Sequence, residues 1–198
     1  MKTGILGGTF DPIHSGHLVV AEEVSARLSL DEVVFIPAGQ PWLKAGNYIT
    51  AAEHRLQMVK LAIAGKPKFK VSTIELERPG PTYTVDTLEQ LKRQSGDELY
   101  FIVGWDNLIE LPRWHRARRI LELCRLVAVP RVGCQPPDLK QLEKSLPGIS
   151  QRVVMLAEPH IDISASVIRD RVAKGLSITH LVPPAVEGYI RRQGLYRG

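Results

Sequence analysis

Cysteine, long apolar runs and a secretory leader are all missing or scarce in this 198-residue sequence. Its two cysteines, Cys124 and Cys134, are not spaced as Cys-x-x-Cys, so they indicate neither a disulfide framework nor a zinc site. No apolar run approaches the roughly 20 residues that cross a bilayer. Glycines at positions 4, 7 and 8 interrupt any signal-peptide core. These absences predict a cytoplasmic protein with no membrane partner.

Two common nucleotide-binding fingerprints are also absent. The sequence has no G-x-G-x-x-G and no Gly-Lys-Ser/Thr of a Walker loop, which argues against a hydride-transfer enzyme and a P-loop kinase. The net charge of +5 and the pI of about 9.3 favour a partner rich in phosphate, either nucleic acid or a nucleotide. Basic and aromatic residues are not interleaved as on an RNA-stacking platform, so we expect no nucleic-acid partner.

Short β-branched runs alternate with amphipathic helical stretches along the whole chain. Strands are predicted at 3–6, 32–36, 69–74, 99–103, 125–129 and 153–156. Several are near-continuous apolar runs, which is typical of strands buried on both faces of a parallel sheet. The pattern predicts a Rossmann-like, doubly wound α/β fold with five to six mostly parallel strands and helices on both faces. We expect residues 1–198 to form a single domain.

Helix start signals follow the predicted strands. Thr50 and Glu53 have the spacing of a capping box, and Thr84, Asp138 and Ser164 are further candidate N-caps. Pro183 and Pro184 open the last helix. Glycines suited to ending these helices stand at positions 65, 96, 175 and 194. In such folds ligands bind beyond the carboxyl ends of the strands, so the residues after each strand are the candidate site.

The segment after the first strand, residues 7–17, is the most informative. Gly7 and Gly8 allow backbone amides to approach a bulky anion, and the helix that follows presents free N–H groups. His14 and His17 can both donate hydrogen bonds to phosphoryl oxygens. Gly16 is expected to leave space between the two imidazoles for a phosphate chain. The alternatives are a tight turn capped by the histidines, or a metal site, although no third ligand is nearby.

Three other segments fit the same kind of ligand. Gly104 at a strand end admits a flat base, and Asp106 can accept both hydroxyls of a ribose. Ser164 caps a helix that carries Arg169, whose guanidinium suits bidentate phosphate contact. A helix start after residues 82–84 suits a carboxylate. The alternatives are an ordinary capped helix with a surface arginine, and an ordinary capped turn.

These residues carry a resemblance. Residues 7–17 resemble the signature of the nucleotidylyltransferases, His-x-Gly-His, and in more detail that of the bacterial nicotinate-nucleotide adenylyltransferase family. Residues 163–169 resemble the second signature, Gly104 and Asp106 with Trp114 resemble the family's Gly-x-Asp followed by Trp, and residues 82–84 resemble its Ser-Tyr-Thr. The resemblance covers nearly the whole chain and implies transfer of AMP from ATP to nicotinate mononucleotide, giving deamido-NAD and pyrophosphate.

The resemblance implies a role for each matching residue. Catalysis is assigned to His14, His17 and Arg169. ATP binding is assigned to Gly7, Gly8, Thr9, Phe10, Gly16, Gly104, Asp106, Ile163 and Ser164. Acceptor binding is assigned to Lys44, Thr82, Tyr83, Thr84 and Trp114, with Trp114 stacking on the pyridine ring; core packing is the alternative for Trp114 and Tyr83.

One segment departs from the family. Residues 41–44 read Pro-Trp-Leu-Lys, whereas many members have His at the position of Leu43 and a basic residue next to it. Lys44 keeps the cation, so the acceptor phosphate is expected to depend more on Lys44.

The implied reaction is an in-line attack by the acceptor phosphate on the α-phosphorus of ATP, and it needs no general base. We expect catalysis by positioning and by cations near the leaving pyrophosphate, with His14, His17 and Arg169 as candidates. Mg²⁺ is expected on the ATP phosphates, with no side-chain ligand assigned. The alternatives are a transferase for nicotinamide mononucleotide or phosphopantetheine, or a non-catalytic nucleotide- or RNA-binding module. The oligomeric state stays open, a homo-oligomer included.

Overall fold

The fold is built on a six-stranded parallel sheet. A computed structural model describes residues 1–41 and 49–197. The six strands are β1 (Lys2–Gly8), β2 (Glu32–Pro37), β4 (Phe69–Val71), β6 (Glu98–Gly104), β7 (Cys124–Val129) and β8 (Val153–Met155). Two short strands, β3 (Gln40–Pro41) and β5 (Pro81–Thr82), pair with each other. The predicted Rossmann-like sheet is confirmed, although β4 has three residues where the sequence predicts six.

The sheet order is β4-β2-β1-β6-β7-β8, so the chain changes direction across the sheet between β1 and β6. Pairing of β1 with β2 continues to Gly8 and Pro37, and pairing of β6 with β7 continues to Gly104 and Val129. Pairing of β1 with β6 ends earlier, at Ile5 and Phe101. The carboxyl ends of the two central strands therefore separate at the switch point, where doubly wound folds bind ligands.

Helices cover both faces of the sheet, as predicted. They are α1 (Ser15–Leu28), α2 (Ala52–Ile63), α3 (Thr84–Ser95), α4 (Trp105–Glu110), α5 (Ala117–Leu123), α6 (Leu139–Ser145), α7 (Ala165–Ala173) and α8 (Pro184–Gln193). Alternate strand residues point to opposite faces. Val33 and Phe35 thus belong to a core shared with α1, α2, α7 and α8. Val34 and Ile36 belong to a second core shared with α3, α4, α5 and α6.

The predicted helix caps are partly correct. Ser164 and Asp138 accept hydrogen bonds from backbone N–H groups of the helices they begin. Gly96 and Gly194 adopt left-handed conformations at the ends of α3 and α8.

The capping box at Thr50 is wrong. Helix α2 begins after Ala51, and the backbone N–H of Thr50 instead donates to the Asp11 carboxylate at 3.1 Å. Thr84 is the first residue of α3 and Tyr83 stands at the cap, so that prediction is wrong by one position. Helices α4 and α5 and the β3–β5 pair were not predicted.

Within the described ranges, no helix combines the length and the apolar character needed to cross a bilayer. The expectation that residues 1–198 form a single domain stays a prediction.

Candidate active site

A cavity of about 500 Å³ opens where β1 and β6 separate. It is lined by the β1–α1 turn, by residues that follow β6 and β7, and by the start of α7. The residues predicted to bind ATP or to catalyse all line it: Gly7, Gly8, Thr9, Phe10, His14, Gly16, His17, Gly104, Asp106, Ile163, Ser164 and Arg169. Residues separated by up to 162 positions in sequence thus meet at the site that the topology favours.

The turn after β1 has an unusual backbone at Phe10. Phe10 has φ of 50°, in the left-handed region, which costs a non-glycine residue about 1–2 kcal/mol. Its buried ring packs edge-on against His17 with ring centroids 5.0 Å apart, and it also contacts Phe35. A Cβ at Gly8 would lie 3.0 Å from this ring. The buried aromatic contacts offset the backbone cost, and Gly8 makes room for them.

The two imidazoles are in contact. The rings of His14 and His17 stack with centroids 3.7 Å apart and planes inclined by 24°. A Cβ at Gly16 would overlap with the side chain of Ile161 and lie 3.1 Å from His14 Nδ1. The expectation that Gly16 leaves a gap between the imidazoles is therefore wrong, because the two rings stack directly on each other, and Ile161 takes the space beside Gly16. A phosphate chain can only lie along the edges of the stacked pair.

One backbone hydrogen bond sets the tautomer of His17. The backbone N–H of His14 donates to His17 Nδ1 at 3.2 Å. A neutral imidazole carries one proton, so His17 holds it on Nε2. The side chain is thereby prepared as a hydrogen-bond donor.

Burial keeps both histidines neutral. Loss of solvation, with a smaller contribution from the positive charge of Arg131, lowers the pKa of His14 to about 4. Burial, then His14 and Arg131, lowers the pKa of His17 well below its usual range. In the nucleotide-free protein the lowered pKa values favour the neutral form of both rings. The expectation that they act as cations beside a bound polyphosphate stays a prediction.

Arg131 is a cavity residue that the sequence analysis missed. It follows β7 by two positions, lines the cavity and places Nε 3.4 Å from Asp106 Oδ2. The other oxygen, Asp106 Oδ1, is buried and has no hydrogen-bond partner among the described residues. A Cβ at Gly104 would overlap with this oxygen. The free acceptor beside a required glycine supports the prediction that Asp106 binds a ribose. The position of Arg131, directly after a predicted strand, was the signal that could have found it.

The start of α7 meets the β1–α1 turn. Ser164 Oγ accepts a hydrogen bond from the Val167 backbone at 3.3 Å and so begins the helix. One turn later, Arg169 Nη1 donates to the backbone carbonyl of Asp11 at 2.7 Å. This contact holds the Arg169 guanidinium at the cavity that the two histidines line. The arginine is therefore anchored to the turn and is not a free surface side chain.

Comparison with known proteins identifies the family to which this chain belongs. A family model described as cytidylyltransferase-like matches residues 5–171. A protein of Dehalococcoides mccartyi, named probable nicotinate-nucleotide adenylyltransferase, is 58% identical over 198 residues, which cover 99% of this chain and 97% of its own. A Roseiflexus protein of the same name is 50% identical over 194 residues, covering 98% and 97%. This chain belongs to the nicotinate-nucleotide adenylyltransferase family.

The solved structure of Plasmodium falciparum nicotinic acid mononucleotide adenylyltransferase complexed with NaAD superposes on this family member with a TM-score of 0.78. The alignment covers 98% of this chain and 97% of that one at 22% sequence identity. A second structure of that protein, complexed with APC, gives a TM-score of 0.77 and covers 98% and 96% at the same identity. These likenesses confirm the fold.

The residues that the family resemblance assigns to the acceptor divide into three groups. Thr82, Thr84 and Trp114 line the cavity. Tyr83 is not among the lining residues; its ring packs on His115 with centroids 4.5 Å apart. Lys44 lies outside the described residues, as do Trp42 and Leu43. The placement of Tyr83 favours the alternative of a packed side chain for that residue.

The position of Trp114 leaves open both of the roles that the sequence predicted, core packing and stacking on the acceptor. It packs against the second core and meets Phe101 edge-on with centroids 6.2 Å apart, yet it also lines the cavity. Its indole Nε1 is buried without a hydrogen-bond partner among the described residues. The core fixes the ring, and a face or edge remains available to a ligand.

Glu75 is a second cavity residue that the sequence analysis missed. Its carboxylate accepts a hydrogen bond from Thr87 at 2.8 Å, and both residues line the cavity beside Thr82. A Cβ at Gly39 would overlap with the Glu75 carbonyl and lie 3.0 Å from Thr82. Glu75 directly follows the predicted strand 69–74, although it lies four positions beyond the end of β4, and this position was the signal that could have found it.

Proposed function

We propose that this chain transfers AMP from ATP to nicotinate mononucleotide, giving nicotinate adenine dinucleotide and pyrophosphate. The observation that carries the proposal is the convergence of His14, His17, Arg131 and Arg169 on one cavity at the switch point of the sheet. The relatives' names support this acceptor, and so does the NaAD bound by the Plasmodium falciparum protein of the same fold.

The reaction forms one bond and breaks one bond at phosphorus. An oxygen of the acceptor's phosphate attacks the α-phosphorus of ATP, and the bond from that phosphorus to the bridging oxygen of the β-phosphate breaks. The electron pair leaves with pyrophosphate. A phosphate monoester is already anionic at neutral pH, so no side chain has to remove a proton from it. The chain therefore contributes positioning and electrostatic stabilisation.

The cavity offers two kinds of stabilising group. His17 presents an Nε2–H donor, and His14 presents a second neutral imidazole beside it. Arg169 and Arg131 supply positive charge on the α7 side and the β7 side. Neutral donors bind phosphoryl oxygens without repelling the neighbouring guanidiniums, which explains how four such groups share one small site.

Mg²⁺ is proposed as a cofactor that arrives on the triphosphate, because Mg²⁺ commonly keeps several waters and takes substrate phosphates as ligands. When bound, it would spread the negative charge of the leaving pyrophosphate. Within residues 1–41 and 49–197, no three His, Cys, Asp or Glu side chains are placed to hold a metal ion. No described side chain is therefore assigned as a ligand.

The test is pyrophosphate release from ATP with a panel of acceptors: nicotinate mononucleotide, nicotinamide mononucleotide, phosphopantetheine and none. We expect nicotinate mononucleotide to give a kcat/KM at least about tenfold above the others, the size of effect expected when one buried polar contact discriminates. Faster release with another acceptor would replace the proposed substrate. Release with none of them, together with tight nucleotide binding, would favour the binding-module alternative.

Three predictions from the sequence are added to the proposal: cellular location, the lack of a nucleic-acid partner and the oligomeric state. A cytoplasmic location rests on the sequence argument and suits two cysteines that are free in the structure. The absence of a nucleic-acid partner rests on the lack of a stacking pattern. Assembly into a homo-oligomer is left to a measurement of mass in solution.

A further inference from the structure

Arg55 on helix α2 is a buried arginine that the reaction described above does not use. Its side chain is among the largest fully buried ones, with 2% of the residue exposed. Nη1 donates to the backbone carbonyls of Thr9 and Ala38, both at 2.8 Å, and Nε donates to the carbonyl of Thr50 at 2.9 Å. Among the described residues, no carboxylate lies within ion-pair distance of it.

A buried charge paired only with carbonyls is costly, so its presence calls for a role. Burial lowers the pKa of Arg55, and the negative charge of Asp11 acts in the opposite direction. A guanidinium offers several donors in one rigid plane, which a lysine or an apolar residue cannot do. That plane fixes the relative positions of three separate chain segments: the β1–α1 turn at Thr9, Ala38 directly after β2, and Thr50 two positions before α2.

The contact with Thr9 also orients a neighbouring amide. The peptide bond from Thr9 to Phe10 is trans, so its carbonyl and its N–H point in opposite directions. The carbonyl points to Arg55, which does not line the cavity, whereas Thr9 and Phe10 both do. The Phe10 N–H therefore points away from Arg55.

We propose that Arg55 is a positioning residue that turns the Thr9–Phe10 amide into a hydrogen-bond donor for the polyphosphate of the nucleotide. The inference rests on the proposed function, because it assigns that polyphosphate to the same cavity. Backbone amides held in advance at the position of developing charge need no rearrangement during the reaction.

Asp11 extends the same network to Arg169. The carboxylate of Asp11 accepts hydrogen bonds from the Thr50 backbone N–H at 3.1 Å and from the Tyr196 hydroxyl at 2.7 Å. Its carbonyl accepts from Arg169 at 2.7 Å. Thr50 thus contacts Arg55 through its carbonyl and Asp11 through its N–H. A displacement of the Arg55 guanidinium is transmitted to both ends of the polyphosphate site.

The experiment compares Arg55→Lys with Met58→Ala, a fully buried neighbour on the same helix face that makes no polar contact with the turn. Calorimetry with ATP alone gives the nucleotide Kd, and pyrophosphate release gives kcat and the KM of nicotinate mononucleotide at saturating ATP. For Arg55→Lys we expect the Kd of ATP to rise about tenfold and kcat to fall about tenfold or more. We expect the acceptor KM to change less than about twofold, because Arg55 holds the nucleotide turn.

Met58→Ala should melt at a lower temperature yet keep the ATP affinity and kcat within about twofold, because it removes apolar packing and no hydrogen bond to the turn. Adding guanidinium ion to Arg55→Ala should restore part of kcat; if Arg55→Ala does not fold, Arg55→Lys decides. The inference would be overturned if Arg55→Lys kept the ATP affinity and the kcat of the wild type. It would also be overturned if Met58→Ala lost as much ATP affinity and kcat as Arg55→Lys at a matched melting temperature. Failure of the wild type with every acceptor would instead remove the proposed function, while the ATP affinities would still report on Arg55.

Discussion

The two sides of the cavity are formed by different kinds of chemical group. On the proposed nucleotide side, the β1–α1 turn and the start of α7 contribute glycines, backbone amides and buried histidines at the ends of long elements. On the proposed acceptor side, Thr82 of the two-residue strand β5, Thr84 at the start of α3 and the turn that carries Trp114 contribute mostly side chains. The first side is fixed by the backbone and the second by packing, so we expect substitutions to affect turnover on the first and acceptor recognition on the second.

The largest expected effect is on the nucleotide side, at His17. His17→Ala removes the Nε2–H donor, and loss of one such donor lowers kcat about 10²- to 10³-fold. The ring is buried against Phe10, so the circular dichroism spectrum should stay native while the melting temperature falls somewhat. The measurement is single-turnover pyrophosphate release at saturating substrates. His160→Ala, at an exposed histidine, is the control and should keep kcat within about twofold. Near-normal turnover of His17→Ala would remove His17 from catalysis.

A smaller effect on the same side is expected at Gly104. In Gly104→Ala the new methyl group would overlap with Asp106 Oδ1 and displace this carboxylate, so the KM of ATP should rise about tenfold, the value of one charge-assisted hydrogen bond. Gly188→Ala is the matched control, because its methyl group would approach only the flexible end of Arg192 in α8. Steady-state kinetics with varied ATP decide the point. An unchanged KM for ATP in Gly104→Ala would contradict a ribose role for Asp106.

On the acceptor side, Trp114→Ala should raise the KM of nicotinate mononucleotide about tenfold and leave the KM of ATP within about twofold, since stacking on an indole contributes on the order of 1–2 kcal/mol. Trp114→Phe keeps a ring in the same place and should recover most of the affinity. Kinetics with each substrate varied in turn provide the test. Equal rises in both constants would mean that Trp114 supports the whole core and that the two sides are not separate.

The smallest expected effect concerns the protonation of His14 and His17 in the nucleotide-free protein. Because the pKa of His14 is lowered to about 4 and that of His17 well below its usual range, both rings stay neutral from about pH 8 down to about pH 5.5, whereas ordinary histidines gain a proton near 6.5. Nitrogen shifts of the six imidazoles in the nucleotide-free protein report this directly. We expect two rings to remain neutral over this range. Bound polyphosphate should raise both pKa values, because a nearby anion favours the charged form. Six rings titrating near pH 6.5 would show that burial does not control the pair.

The sequence predicted the nucleotide side better than the acceptor side, because the residues of the nucleotide side lie close together in sequence. His14 and His17 lie within one strand–turn–helix segment, and Ser164 with Arg169 lies within one capped helix. Each can be located from neighbouring residues alone. Arg131 and Glu75 also follow predicted strands, but which strand ends converge on the cavity depends on the strand order, which a single strand pattern does not show.

Errors in the prediction also have tertiary causes. The capping box at Thr50 fails because Asp11 and Arg55 hold the backbone of Thr50; Asp11 lies 39 positions away in sequence and Arg55 lies five. The gap expected between the imidazoles is closed by their stacking, and the space beside Gly16 is taken by Ile161 from a distant segment. Local signals cannot anticipate a competing partner from elsewhere in the chain.

The central claim is that one polyphosphate is bound by the stacked pair of His14 and His17 together with Arg169. A crystal structure of the protein with a non-hydrolysable ATP analogue tests it most directly. We expect phosphoryl oxygens within about 3.2 Å of His17 Nε2 and of the Arg169 guanidinium, in the cavity between β1 and β6. A triphosphate bound elsewhere, for example beside α2 and the C-terminal residues, with these three side chains free of it, would contradict the account.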